Sequence, residues 1–189
     1  MSHINTALIH QGRESATKSL SVNPPLVRAS TTVFSDLSAF KASYSGKTFE
    51  TARYGRTGPS TTFDFQSAMA AISHTESCIA TSCGLSACTA VITAFASSKK
   101  KIILQRNIYG PVTTFAENEL KKRGVHIEYF ESTQELERII TPNTTLIFIE
   151  IPTSLTMKLL DVSAVANIAS KHSIPLACDA TWGTPLFFD

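Results

Sequence analysis

The sequence predicts an α/β domain, with a mostly parallel sheet covered by helices on both faces, and three observations carry the prediction. From about residue 61 onward helical patterns alternate with short β-branched runs, the order that repeated βα units produce. Those runs are mostly apolar rather than alternating, as strands covered on both faces should be. With 43% hydrophobic and 17% charged residues over 189 positions, the chain also carries enough apolar side chains for a substantial core.

The elements follow in order. Residues 1–60 form an irregular arm, because Pro24, Pro25, Gly46, Gly55, Gly58 and Pro59 break any long period and Ser and Thr are abundant between them. Residues 61–189 form one large, incomplete domain with no linker, repeat or low-complexity tract inside it. Its strand candidates are 77–81 (SCIAT), 101–105 (KIILQ), 125–130 (VHIEYF), 144–150 (TTLIFIE) and 174–179 (IPLACD). Helices fill the spaces: 61–73, 84–97, 110–124, 132–140 and 161–173. Ser132 or Thr133, and Asp161, each offer a side-chain oxygen to the free N–H groups of the helix that follows. Gly124 closes its helix as a left-handed cap does. After the strand ending at Asp179 the chain stops at Asp189 without a capping helix, so the domain is expected to be incomplete at its C-terminal side.

Composition excludes several classes of partner. Lys and Arg number 17 against 15 Asp and Glu, and the charges are scattered, which argues against nucleic acid. No run is long and apolar enough to span a bilayer, and the first twenty residues lack the core of a secretory signal, so the cytoplasm is the expected compartment. Cys78, Cys83, Cys88 and Cys178 make no CxxC or Cys/His pattern and read as buried thiols. His10, His74, His126 and His172 show no metal-ligand spacing, so no metal is expected. Lys99–Lys101 and Lys121–Lys122 read as solvated surface.

In parallel sheets of this kind ligands bind beyond the carboxyl ends of the strands, and the candidate residues are sought there. After 77–81 comes Ser82-Cys83-Gly84-Leu85-Ser86, where Gly84 opens a helix and leaves N–H groups free for an anion; a phosphate turn and a plain tight turn read alike here. Arg53-Tyr54-Gly55-Arg56-Thr57-Gly58 places two guanidiniums and a phenol on one loop, a phosphate grip or a solvated basic loop. Tyr109 follows the strand 101–105 and is either a ring that stacks on a flat ligand or a helix-entry aromatic. Ser154 follows the strand 144–150 in Glu150-Ile151-Pro152-Thr153-Ser154, a polar strand end or a turn. Asp179 ends an apolar strand, and a partly covered carboxylate there calls for a cationic or donor partner, unless it simply caps the next turn.

Taken in order, these places resemble the Cys/Met-metabolism family of pyridoxal-phosphate-dependent enzymes over essentially the whole chain. TALIHQGR (6–13) and PPLVRASTTVF (24–34) resemble that family's opening segments, YGRTG (54–58) its Tyr-x-Arg loop, SCGLSA (82–87) its phosphate turn and CDATW (178–182) its Asp-Asn-Thr strand end. YGRTG, PTSLTM (152–157) and Trp182 are most similar to its bacterial cystathionine β-lyase branch. The resemblance implies the large domain of an aspartate-aminotransferase-like fold and pyridoxal 5'-phosphate as cofactor. It implies that Gly84 and Leu85 bind the phosphate through backbone N–H, and that Tyr54 and Arg56 reach the phosphate of a neighbouring subunit, so that a homo-oligomer is needed. Tyr109 would stack on the ring and Asp179 would keep its nitrogen protonated, with Ser154 at the same site and Tyr54 a candidate catalytic group. The implied reaction converts cystathionine, a small sulfur amino acid, to homocysteine, pyruvate and ammonia.

Three departures qualify that reading. Ala180 stands where the family has Asn, which predicts weaker hydrogen bonding around Asp179. Ser154 stands where many relatives carry Asn. The family's Schiff-base lysine, in a Ser-x-Thr-Lys string, and the arginine for the substrate carboxylate have no counterpart in residues 1–189. The chain is therefore expected to be an N-terminal part that needs a complementing C-terminal half for covalent catalysis. The other readings are the γ-synthase or γ-lyase branch of the same family, and a non-catalytic fragment or interaction protein whose unfinished sheet exposes strand edges. A generic nucleotide-binding domain is the weakest, for want of a GxGxxG or Walker string.

Overall fold

Alternation along two apolar runs decides the architecture of the second half of the chain. Strands β1 (Lys101–Gln105) and β3 (Thr144–Glu150) lie side by side and parallel at the centre of a sheet ordered β2-β1-β3-β4, with β2 (His126–Phe130) and β4 (Leu176–Asp179) outside them. Successive side chains of a strand point to opposite faces. Ile102, Leu104, Leu146 and Phe148 accordingly enter one apolar cluster, and Ile103, Ile147 and Ile149 enter another on the opposite face. This is the doubly covered parallel sheet read from the sequence.

The computed structural model describes residues 4–45 and 51–187; Gly46 and the chain end at Asp189, both used above, lie outside them. These residues form two compact units that divide between Ala80 and Thr81. In the second unit α5 (Gly84–Phe95) and α6 (Gly110–Phe115) cover the first face, through Cys88, Ile92 and Val112. Helices α7 (Thr133–Ile139) and α8 (Val162–Lys171) cover the other through Leu136, Val165 and Ala169. Burying each Ile, Val and Leu among these side chains stabilises the fold by about 1.5–3 kcal/mol.

The expected start and stop signals operate. Ser132 accepts from the N–H of Glu135, at 3.2 Å, and Asp161 from that of Ala164, at 2.9 Å. The helix read over 110–124 begins as α6, widens into a π turn at Ala116–Leu120, tightens to a 3-10 turn at Lys121–Arg123 and ends on Gly124 at φ 79°. Beyond β4 a single helical turn, α9 (Thr184–Phe187), follows where no helix was expected.

Two expectations are corrected. Residues 77–81 are not a strand: no described segment offers them a ladder, the N–H of Ala80 donates to the Gln66 side chain at 2.9 Å, and Ile79 is 59% exposed. Apolar composition suits a strand, but only a paired neighbour satisfies its backbone. Lys101 is not solvated surface, since its ammonium reaches Glu128 at 2.5 Å and the carbonyl of Ile139 at 2.8 Å.

The first unit holds short helices in otherwise irregular chain: α1 (Ile4–His10), α2 (Glu14–Ser19), α3 (Leu37–Ala42) and the longer α4 (Ser60–Ile72). Gly12 sits at φ 70°, and a Cβ there would collide with the carbonyl of Asp64 and the side chain of Ala68 on α4, so only glycine lets the turn after α1 lie against that helix.

Ile103→Ala, at a fully buried centre, should lower unfolding free energy by about 2–5 kcal/mol. Ile79→Ala should change it by no more than about 0.5 kcal/mol, as an exposed position outside the sheet does. Urea unfolding of both variants checks the assignment, and a core-sized loss at Ile79 would restore 77–81 to the sheet.

Candidate functional site

The order β2-β1-β3-β4 creates a switch point, because the connection leaving β1 goes toward one edge and the connection leaving β3 toward the other. A crevice opens where such connections part, and the groups there can be built up one strand end at a time.

From β1 the chain passes through Asn107, held at φ 62°, to Tyr109, which precedes α6 and is 45% exposed. The backbone N–H of Tyr109 donates to Oε2 of Glu150, the last residue of β3. Glu150 is almost fully buried, yet no cation pairs with it among the described residues. Its charge is balanced by donors: the Tyr109 N–H on Oε2 and the Ser154 hydroxyl on Oε1 at 2.6 Å, while its own N–H donates to the Gln105 side chain at 2.9 Å. One carboxylate thereby ties together the ends of both central strands and the loops that leave them.

Asp179 stands in register beside Glu150, so the two carboxylates project from the same face. Oδ1 of Asp179 accepts from the Thr181 N–H at 3.0 Å and the Thr181 hydroxyl at 2.6 Å; Oδ2 accepts from the thiol of Cys88 at 3.3 Å. The cap of the following turn and the partly covered carboxylate, two readings of Asp179 in the sequence, are both present. Ala180 contributes no donor, and Thr181 and Cys88 fill the place.

Helix α5 packs on the same face as these carboxylates, and the contact from Cys88 brings its N-terminus to the carboxyl end of the sheet. Cys83 precedes the helix in extended backbone without capping it through a side chain, and a Cβ built on Gly84 would meet nothing within 4 Å. The turn is built for negative charge. The Ser86 hydroxyl, the Ser86 N–H and the Leu85 N–H all hold the Cys83 thiol below its usual range. Cys83 is exposed, which corrects the reading of all four thiols as buried; Cys78 and Cys178 are half-buried and Cys88 is buried. The exposure follows from Cys83 lying in the open turn rather than on a core-facing stripe.

The structure thus brings Gly84, Leu85, Tyr109, Ser154 and Asp179 into one unit at or beside the carboxyl end of one sheet. Tyr54 and Arg56 belong to the first unit. There Tyr54 bridges Thr31 in an antiparallel pair and is 50% exposed, Arg56 is exposed, and Gly55 approaches Ser30 so closely that a Cβ would lie 2.8 Å from its Cα. Arg53 of the same loop lies over the Tyr44 ring at 5.1 Å. Sequence reasoning missed two members: Glu150, visible only as one polar residue at a strand end, and Cys88, whose partner is 91 positions away.

Open space before the first turn of α5 and a carboxylate that has no cation among the described residues suit a ligand that carries a phosphate at one end and a basic ring nitrogen at the other. Pyridoxal phosphate is such a molecule, and the donor set fits it. A family described as Cys/Met metabolism PLP-dependent enzyme matches residues 5–189. An L-alanine/L-glutamate racemase of Wolbachia pipientis wMel is 32% identical over 96% of this chain and 47% of its own length. A cystathionine β-lyase of Bordetella avium is 32% identical over the same shares. A crystal structure of cystathionine γ-lyase from Lactobacillus plantarum, complexed with L-serine, superposes with TM-score 0.86 at 25% identity, covering 97% of this chain and 46% of that one. The chain spans about half the length of the curated relatives it matches.

Two covered thiols beside Asp179 also set a pH response. Burial, followed by the charge of Asp179, pushes the Cys88 thiol from its ordinary value of 9.0 up to about 12, and burial followed by the same carboxylate pushes Cys178 up to about 11. The folded chain therefore keeps protons that the unfolded chain releases above about pH 9, so this contribution to stability is complete below that pH and declines as pH rises toward each folded value. Urea midpoints should fall between about pH 9 and about pH 11, and Cys178→Ala should flatten the fall; equal slopes in the two proteins would contradict the assignment.

Proposed function

Since the chain belongs to the Cys/Met-metabolism family of enzymes that depend on pyridoxal phosphate, we propose that residues 1–189 are the cofactor-holding part of a carbon–sulfur lyase of the cystathionine β-lyase kind. The observation that carries the proposal is the Asp179 carboxylate at the strand end, on the same face as the open N-terminus of α5 and without a cationic partner among the described residues.

In this reading the N–H groups of Gly84 and Leu85 bind the phosphate, aided by the positive end of α5. Asp179 holds a proton on the ring nitrogen, and Tyr109 covers the ring, its backbone fixed by Glu150. Ser154 steadies Glu150 from the other side and stands at the edge of the same site. When bound, pyridoxal phosphate supplies an aldehyde for the substrate amine and a ring system that accepts the electron pair left by the α-proton. Tyr54 and Arg56 reach the phosphate of a neighbouring subunit, which makes the working enzyme a homo-oligomer. The lysine that moves the proton is supplied from outside residues 1–189, by a complementing C-terminal segment. The overall reaction takes cystathionine and water to homocysteine, pyruvate and ammonia, in the cytoplasm.

A second reading has specific support. The 32% identical relative named a racemase acts, by its name, on L-alanine and L-glutamate, and racemisation and β-elimination both start from loss of the α-proton. The groups named above serve either reaction, so substrate choice is decided by residues elsewhere. The γ-lyase and γ-synthase branch is compatible for the same reason.

Titrating the chain with pyridoxal phosphate should show saturable binding, and Asp179→Ala should weaken it about 10- to 100-fold, the worth of a charge-assisted hydrogen bond of about 1.5–3 kcal/mol. Equal affinities would remove Asp179 from the site. With the complementing segment present, release of pyruvate from L-cystathionine supports the lyase, whereas formation of D-alanine from L-alanine with no pyruvate supports the racemase.

A further inference from the structure

Cys88 is a buried nucleophilic group that none of the steps above uses, yet it touches the group on which they turn. It lies on α5 opposite β4, and its thiol meets Oδ2 of Asp179 at 3.3 Å. An ionised carboxylate offers about four acceptor positions, two on each oxygen. The Thr181 N–H and hydroxyl occupy both positions on Oδ1, and the Cys88 thiol takes one of the two on Oδ2. One position remains, on the oxygen that Cys88 holds.

We propose that Cys88 is a positioning residue for Asp179: its S–H donor fixes the rotation of the carboxylate so that the remaining acceptor position of Oδ2 faces the ring nitrogen of pyridoxal phosphate. The proposal rests on the cofactor reading given above. It explains how the strand end functions with Ala180, which offers the carboxylate nothing. The thiol can donate only while protonated, and burial together with the negative charges of Asp179 and Glu150 holds it so. Cys178, the other thiol of β4, packs on the opposite face, away from the Cys88 contact. A thiol is also a weak donor, which leaves more of the carboxylate's charge for the ring nitrogen than a hydroxyl or amide in its place would.

Two measurements on the 189-residue chain test this. In the cofactor-free protein, infrared difference spectra between each parent and its Cys88→Val variant isolate the S–H stretching band of Cys88. That band should lie at lower frequency when Asp179 is present than in an Asp179→Ala background; an unchanged band overturns the pairing. Affinity for pyridoxal phosphate then tests its purpose. Cys88→Val, which stays apolar, adds about one methyl group and loses the donor, should bind about three- to tenfold more weakly, the range expected for one modest hydrogen bond. Cys88→Ser, which restores a donor, should stay within about twofold of the unaltered chain. Unaltered affinity in Cys88→Val, or equal loss in Val and Ser variants that unfold like the parent, overturns the positioning role. If Asp179→Ala does not fold, the Val and Ser pair alone decides. If the unaltered chain takes up no pyridoxal phosphate, the cofactor reading fails on its own account, and the infrared shift still decides whether Cys88 holds Asp179.

Discussion

Burying a strand on both faces requires every one of its side chains to find an apolar neighbour, and β1 and β3 meet that requirement at the centre of the sheet. Ile102 and Leu104 point to one side of β1 and Ile103 to the other; Leu146 and Phe148 oppose Ile147 and Ile149 in the same way along β3. Because the faces are apolar, their helices are obliged to cover both, and because the strands are parallel, the chain returns over the sheet between them. The connections from β1 and β3 then leave in opposite directions, and the crevice at their carboxyl ends is a consequence of the pairing rather than a separate invention.

What fills that crevice follows from charge. Two carboxylates, Glu150 and Asp179, end adjacent strands on one face, and isolated ions in such a place would be costly. Glu150 is satisfied entirely by donors from the chain, so it acts as a fastener for Tyr109 and Ser154. Asp179 is satisfied only in part, and the first turn of α5 beside it favours negative charge. A fastened carboxylate, an open one and an anion-welcoming helix end are a complementary set for one ligand with a phosphate and a protonatable ring. Relatives that bear names as different as racemase, β-lyase and γ-lyase fit the proposed reading, in which the set would hold a cofactor without choosing a substrate.

Local signals made much of this legible in the sequence. Apolar runs marked β1, β3 and β4, Ser132 and Asp161 marked helix starts, and Gly124 marked a helix end, because each depends on a few neighbouring residues. The segment 77–81 misled because its composition suits a strand while the pairing that makes one lies with other parts of a chain. The helix at Leu37–Ala42 carries a local signal inside the arm that the sequence presents as irregular: Asp36 accepts from the N–H of Ala39 at 2.7 Å as a cap should. Asp179 announced itself as a charge after an apolar run. Cys88 did not, because a thiol on an apolar helix stripe looks like core, and only the fold reveals that it ends on a carboxylate.

The central claim is that the carboxyl end of this sheet holds the phosphate and ring of pyridoxal phosphate, and amide NMR of the isotopically labelled chain tests it most directly. Addition of pyridoxal phosphate should shift the amides of Gly84, Leu85 and Tyr109 in a saturable way, and inorganic phosphate should shift those of Gly84 and Leu85 alone. Shifts confined to other residues, or none at saturating cofactor, would contradict the account.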